Sequence, residues 1–496
     1  MLEKIKKNLL AISLAVVSLI CSIAFVCILA ITDFLTPVLL FVISIIFLGF
    51  SVLVFFLAYN KNKKVFVKKK KDLVKKIIAI IITIIMVVLE IVGGYSIYIT
   101  HSTIKNIFVP TNEYHEIGIY VRDDDSANKL EDITNYNFGI LEVLERESTD
   151  KAVIEINKLL STEISINEYV SIDKLMDSLI SNKQVNAIIL NKSLLGLLED
   201  LDDHSDDLNK IREIHTFKIE HDNISSSEGE QKPPKKNDDV FTAYISGIDC
   251  KGSISIRSRT DANVIATVNM KTGQILLVTT PRDYYVPLSI SNGIPDKLTH
   301  SGIYGINVSR DTHEMLYDID IDYYFKANFD GLKGIVDALG GIEVYSEYPI
   351  SVSGYHFKKG YNYLDGTSAL VFARTRKQVT GGARQRAKNH MAVITGVINK
   401  ATSPAILTNY KSVLNSASGM FETDMPYEMI TKLIQNQITN GTKWNITSYS
   451  VDGTGTYRQP YSLGFSVYVM IPDQSTVNKA KELMAVVRDG GIPKVK

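Results

Sequence analysis

Net charge is what this 496-residue chain most plainly lacks: 54 Lys and Arg balance 54 Asp and Glu. The chain as a whole therefore has no field that would draw it to nucleic acid, and any such attraction must come from local clusters. Cysteine is nearly missing as well. Of three cysteines, Cys21 and Cys27 fall in an N-terminal apolar run and Cys250 stands alone in the remainder, so no disulfide can form within that remainder. No histidine lies near Cys250 in sequence, which favours a packed thiol over a nucleophile. Repeats of fixed period are absent, and low-complexity sequence is confined to one linker and one lysine-rich loop. No helix-turn-helix or other nucleic-acid module is readable in the short segments expected on the cytoplasmic side, so nucleic acid is not an expected partner.

Long apolar runs, by contrast, dominate the first hundred residues. They cover about Leu9 to Ile31, Val38 to Tyr59 and Ile77 to Ile99, each near the roughly 20 residues that span hydrocarbon. All three read as transmembrane helices. The first is too long for a cleaved signal peptide, and no small-residue cleavage site precedes the second. Lysines set the expected orientation, because short positive loops stay cytoplasmic. Lys4, Lys6 and Lys7 precede the first span and nine lysines, from Lys61 to Lys76, fill the second connector, whereas the turn Thr32 to Pro37 has none. The expectation is a multi-pass cell-membrane protein with a cytoplasmic N-terminus, whose chain beyond about His101 lies outside and works without cytosolic ATP. Glu90 in the third span reads as a functional intramembrane acid, as a helix–helix contact, or as a residue near the membrane interface.

The chain is too long for one core. Composition divides it into residues 1–101 with the three spans, a small α/β domain at 102–222, a Ser, Gly and Pro-punctuated linker at 223–239, and a larger α/β domain at 240–496. In the smaller domain strands are expected at Ile117 to Val121, Glu163 to Ile166, Val185 to Leu190 and His215 to Ile219. Helices are expected at Lys151 to Leu160, Ile172 to Ile180 and Ser193 to Leu201. Its acidic runs, Asp123 to Asp125 and Asp202 to Asp207, read as solvated loops. The larger domain is expected to hold strands near Val240 to Ser246, Val264 to Asn269 and Ile275 to Thr279, with helices near Asp330 to Leu339 and Arg386 to Lys400.

Five blocks in the larger domain carry chemistry. They are Ser246-Gly247-Ile248-Asp249, Arg257-Ser258-Arg259-Thr260-Asp261, Thr279-Thr280-Pro281-Arg282-Asp283, Phe372-Ala373-Arg374-Thr375-Arg376, and Arg384 through His390. Arginine forks match phosphoryl oxygens bidentately, and a pair of hard carboxylates can hold Mg²⁺ while phosphates complete its shell. Singly, each block is more often an ordinary surface ion pair. Together, Asp249, Arg259, Asp261 and Arg282 fall at successive strand ends, the place where open α/β sheets present ligand sites.

In this order the blocks, with Asp296-Lys297-Leu298-Thr299-His300-Ser301-Gly302, resemble the motifs of the LytR-CpsA-Psr family. The match is close over about Val240 to Lys400. The three spans and the preceding small domain further resemble the streptococcal capsule-type CpsA branch of that family. The resemblance implies a mixed α/β sheet with flanking helices in the larger domain. It also implies a Mg²⁺-dependent phosphotransferase of a Gram-positive type bacterium. Such an enzyme moves a capsular polysaccharide or teichoic-acid-like glycopolymer from undecaprenyl pyrophosphate to peptidoglycan, leaving a phosphodiester.

Carried over residue by residue, Asp249 and Asp261 would hold Mg²⁺ (or Mn²⁺), Arg259 and Arg282 would contact the pyrophosphate, and Arg374, Arg376 and Arg386 would clamp its remaining oxygens. The polyprenyl tail would lie in an apolar tunnel lined around Leu332 to Leu339 and Met391 to Val397. The chain departs from the family pattern at Ala383 and His390, where aspartate and glutamine are usual. His390 reads either as a phosphate donor and base or as an exposed helix residue, and His300 reads as structural. Two alternatives stand beside the transferase: a lipid-pyrophosphate phosphatase, and a non-catalytic membrane regulator in contact with capsule synthesis proteins.

Overall fold

The computed structural model describes residues 8–32, 35–59, 69–107, 114–198, 206–220, 239–250, 253–375, 383–403 and 421–495. Contacts divide the described residues into two compact units, one built on residues up to 107 together with 426–442, the other holding the remaining described residues.

In the first unit, helices Leu9–Thr32 (α1), Pro37–Ala58 (α2) and Lys69–Ile107 (α3) are each long and apolar enough to cross a membrane. Val38, Phe41 and Phe56 point their side chains out of the bundle, an arrangement that is costly in water and neutral in lipid. Between the helices the contacts are small and polar: Ser18 Oγ lies 3.0 Å from Ser51 Oγ, and Ser22 Oγ donates to Glu90 Oε1 at 2.6 Å. Glu90 thus makes the helix–helix contact. In the same unit the helix Tyr427–Asn440 presents Tyr427, whose hydroxyl donates to the Thr32 carbonyl at 2.9 Å and lies 2.6 Å from His101 Nδ1.

Two larger sheets, beside four two-stranded ones among the described residues, make the second unit. The smaller has five strands, Tyr114–Arg122 (β1), Asn137–Leu141 (β2), Ser165–Tyr169 (β3), Ala187–Asn191 (β4) and Ile211–Glu220 (β5), in the order β3-β2-β4-β1-β5. Helices Arg146–Leu160 (α4), Ile172–Ile180 (α5) and Lys192–Leu198 (α6) cover it. Alternation along β1 and β4 gives each face its own core: Ile117, Ile119 and Ile189 pack with Ile156, while Tyr120, Ile188 and Leu190 pack with Leu175, Leu194 and Leu197. β2 was not foreseen. A five-residue run buried on both faces carries no period that separates it from loop or helix.

The larger sheet contains Val240–Ile248 (β6), Thr260–Asn269 (β7), Gln274–Thr280 (β8), Tyr323–Ala327 (β9), Phe421–Thr423 (β10) and Asn445–Ser450 (β11), in the order β10-β9-β6-β7-β8-β11. It is mixed: β6-β7-β8 are antiparallel, and β9 and β11 join their neighbours in parallel. Helices Ile306–Tyr317 (α7), Phe329–Ala338 (α8), Gly366–Arg374 (α9), Ala383–Ala401 (α10) and Gln474–Arg488 (α11) flank it. Val477, Leu483, Met484 and Val487 of α11 bury Ile265, Leu276 and Val278.

The two sheets share packing. Ile303, Leu463, Val467 and Val469 complete the core over one face of the five-stranded sheet, and the Tyr114 amide donates to the Ser255 carbonyl at 3.1 Å. The linker expected at 223–239 lies, except for Asp239, outside the described residues.

Candidate functional site

Antiparallel pairing of β6 with β7 and of β7 with β8 brings the end of β6, the start of β7 and the end of β8 to the same end of the larger sheet's strands. The registers Ile248↔Thr260 and Asn263↔Thr280 fix that alignment. Asp249 follows the last residue of β6, Asp261 is the second residue of β7, and Pro281, which cannot extend the ladder, ends β8 so that Arg282 emerges beside them.

The charged groups form two adjoining networks. Arg259 is buried, and its Nη2 donates to Asp249 Oδ2 at 2.8 Å while its Nη1 donates to the Gly196 carbonyl at 2.8 Å. Asp261 Oδ1 accepts from Arg282 Nη1 at 2.7 Å, and its Oδ2 lies 3.5 Å from Arg386 Nη1. Burial alone would raise the Asp261 pKa, but the charges of Arg282, Arg386 and Arg259 outweigh it and hold the carboxyl well below the usual range. Behind Arg282, Asp283 takes up the fully buried Lys297 ammonium at 3.1 Å and stands 3.6 Å from Arg282 Nε.

Beside Asp261 lies a cavity of about 240 Å³, lined by Asn263, Thr280, Arg282, Arg384, Arg386, His390, Asp452 and Met470 among others. His390 faces it half-buried. Burial first, then the positive charge of Arg386, pushes the His390 pKa down to about 4, so its imidazole is neutral at neutral pH. The exposed-helix reading of this residue is corrected by that position. None of Leu332 to Leu339 or Met391 to Val397 lines this cavity; its walls come instead from β7, β8, the segment 450–452, Met470 and the first turns of α10.

Of the remaining expected residues, Arg374 is not brought to the cavity. It ends α9 with its guanidinium carbon 4.3 Å from the Phe329 ring centroid, exposed. Arg376 lies outside the described residues. His300 is fully buried, 2.7 Å from Asp296 Oδ1 and 2.8 Å from Ser462 Oγ, a structural tie between two segments. The Cys250 thiol is pushed up to about 11 by burial, so it stays protonated and unreactive at neutral pH.

One charged residue at the cavity, Asp452, was not singled out in the sequence, whereas its partner Arg384 opens the fifth block. Arg384 Nε donates to Asp452 Oδ1 at 2.6 Å and its Nη2 to the Gly453 carbonyl at 3.0 Å. Asp452 is 68 positions away from Arg384 and carries no local signal, so only the pairing of β11 with β8 brings it here.

Among the described residues no group of three or more His, Cys, Asp and Glu side chains gathers into a metal site. Both Asp261 oxygens face arginines and one Asp249 oxygen accepts from Arg259, so a hard cation held here would take most of its ligands from elsewhere. Asp261 is held ionised, and Asp249 gives one oxygen to Arg259. Mg²⁺ commonly takes one or two carboxylates and completes its octahedron with water and phosphate oxygens.

Three membrane-length helices followed by a mixed α/β domain, with an ionised Asp–Arg cluster beside a cavity at one end of the strands, define a membrane-associated α/β protein with a charged cavity. The chain belongs to the LytR_cpsA_psr family, whose model matches residues 201–485. Members of that family transfer glycopolymers to peptidoglycan. The chain is 31% identical over 238 residues, 48% of its length and 76% of the relative's, to the polyisoprenyl-teichoic acid–peptidoglycan teichoic acid transferase TagU of Bacillus subtilis. To the TagU of the same description from Bacillus licheniformis it is 32% identical over 247 residues, 47% of this chain and 80% of that one. The crystal structure of B. subtilis TagU superposes with a TM-score of 0.40 at 28% identity, covering 52% of this chain and 99% of that one.

Proposed function

We propose that this chain transfers a glycopolymer from a polyprenyl pyrophosphate to a hydroxyl of peptidoglycan on the outer face of the membrane. The observation that carries the reading is Asp261 bound at once to Arg282 and Arg386, with Arg259 close enough to depress its pKa, at the wall of a cavity. Three guanidiniums against two carboxylates leave an excess of positive charge, which suits a pyrophosphate.

In this reading Arg259, Arg282 and Arg386 hold the pyrophosphate oxygens. The acceptor hydroxyl oxygen bonds to the sugar-side phosphorus, the bond from that phosphorus to the bridging oxygen breaks, and the lipid leaves as polyprenyl phosphate. Charge gathering on the departing phosphate falls on the arginines, so preorganised electrostatics supplies most of the acceleration. Bound by Asp249 and Asp261, Mg²⁺ would supply further neutralisation of the phosphates. His390, neutral before substrate arrives, is placed to take the hydroxyl proton, and an anion beside it raises its basicity.

The test uses the full chain in lipid nanodiscs with polyprenyl-pyrophosphate-linked disaccharide, Mg²⁺ and peptidoglycan fragments. Release of polyprenyl phosphate coupled to a phosphodiester on the fragments is expected, and Asp249→Ala and Arg282→Ala should fold yet fall at least about 100-fold. Free sugar phosphate as the product, with fragments unmodified, would instead establish a phosphatase. Undiminished transfer in either variant would remove the assignment of the site.

A further inference from the structure

Arg259 stands immediately before β7 in the larger domain, yet its guanidinium also donates to the backbone of the smaller domain. Its Nη2 reaches Asp249 within its own domain, and its Nη1 reaches the carbonyl of Gly196 in α6, 2.8 Å in each case. That carbonyl lies in the last turn of a short helix, where the final four carbonyls have no partner within the helix. A guanidinium there satisfies one of them and sits at the negative end of the helix dipole.

Gly196 itself is the second observation. A Cβ at this position would overlap Nη2, Cζ and Nε of Arg259. Glycine inside a helix loosens it, so its presence is not explained by the helix alone. It is explained by the planar head group lying flat on the backbone. The third observation is the anchoring of α6: Leu194, Leu197 and Leu198, on either side of Gly196, are buried in the core shared with Ile303 and Val469 of the larger domain. The seat for Arg259 is therefore held by packing from both domains.

We infer that the smaller domain is a positioning element of the site, and that Gly196 seats the pyrophosphate-binding guanidinium of Arg259 by offering a carbonyl and no side chain. This rests on the reading of Arg259 as a pyrophosphate ligand. Gly196 is a positioning residue and touches no substrate. With the Gly196 carbonyl holding Nη1 and Asp249 holding Nη2, the plane of the guanidinium is set before substrate arrives, and less ordering is left to be done on binding.

The experiment is a double-mutant cycle in the full chain in nanodiscs: wild type, Gly196→Ala, Arg259→Lys, and both together. Binding of geranylgeranyl pyrophosphate is measured by calorimetry, transfer by polyprenyl phosphate release, and folding by thermal unfolding. Gly196→Ala is expected to weaken binding by about tenfold or more in the wild-type background, since a misplaced ligand of about 1 Å is costly. In the Arg259→Lys background the same substitution should change binding little, because the slimmer ammonium does not fill the space over residue 196. A folding defect would act alike in both backgrounds, so equal losses in the two would overturn the positioning role while leaving the pyrophosphate reading intact. Absence of any Arg259-dependent affinity for the probe would overturn that reading, and this inference with it.

Discussion

Lys297 Nζ lies 3.1 Å from Asp283 Oδ1 with both side chains almost wholly out of solvent, directly behind the arginine that binds Asp261. An ion pair taken out of water gains little net stability, but removing one member leaves a charge stranded in a low-dielectric setting. Lys297→Met should therefore lower the unfolding free energy of the second unit by about 3 kcal/mol, measured by urea titration. Replacing both at once, Lys297→Met with Asp283→Leu, should cost markedly less than the single change. A single variant as stable as wild type would show that water reaches the pair.

Asp261 provides a different kind of test. It is held ionised by three arginines, so neutralising it frees positive charge. Asp261→Asn is expected to bind inorganic pyrophosphate at least as tightly as wild type by calorimetry, while transfer falls by about 100-fold or more. Parallel losses of binding and turnover would mean that the carboxylate organises the arginines instead of serving the reaction.

His390 has its pKa depressed to about 4, against about 6.5 unfolded. A depressed base is neutral in the fold, so its contribution to stability is complete above the unfolded value and disappears as pH falls through about 4. In histidine NMR, the signal lost in His390→Gln should stay in its neutral position from pH 8 down to about 5. Adding pyrophosphate should move that midpoint upward. A midpoint near 6.5 without ligand would place the ring in solvent.

Asp424 moves the other way. Burial raises it to about 6 although its carboxylate accepts from the Tyr324 amide at 2.7 Å. A raised acid gives its full stability below the unfolded value of about 3.9 and loses it as pH rises through about 6. Asp424→Asn, which keeps an acceptor for that amide, should melt close to wild type at pH 4 and above it at pH 8. Identical pH profiles for the two would show that Asp424 is ionised without penalty.

Several of these residues were legible in the sequence because their signals are local. An apolar run of about twenty residues needs no partner to declare itself, and the strands that deliver Asp249, Asp261 and Arg282 carry their own punctuation, ending at Asp249 and at Pro281. The helix Ile172–Ile180 was read to the residue, since its apolar spacing repeats over more than two turns. The strand Asn137–Leu141 was not, and neither was Asp452 as the partner of Arg384, nor Gly196 beneath Arg259. Each of those depends on a surface supplied by a distant segment.

The amino-acid sequence by itself determined the membrane-length helices, the alternation of strand and helix, and the family, all of which are written in patterns a few residues to a few tens of residues long. Tertiary structure alone decided which arginines meet. Strand pairing and shared packing brought Arg259, Arg282 and Arg386 around two aspartates, left Arg374 on the ring of Phe329, and set Gly196 against a guanidinium 63 residues further on. The physical reason is range: hydrophobic period and turn chemistry act between neighbours, whereas an ion pair or a steric seat exists only once the chain has closed on itself.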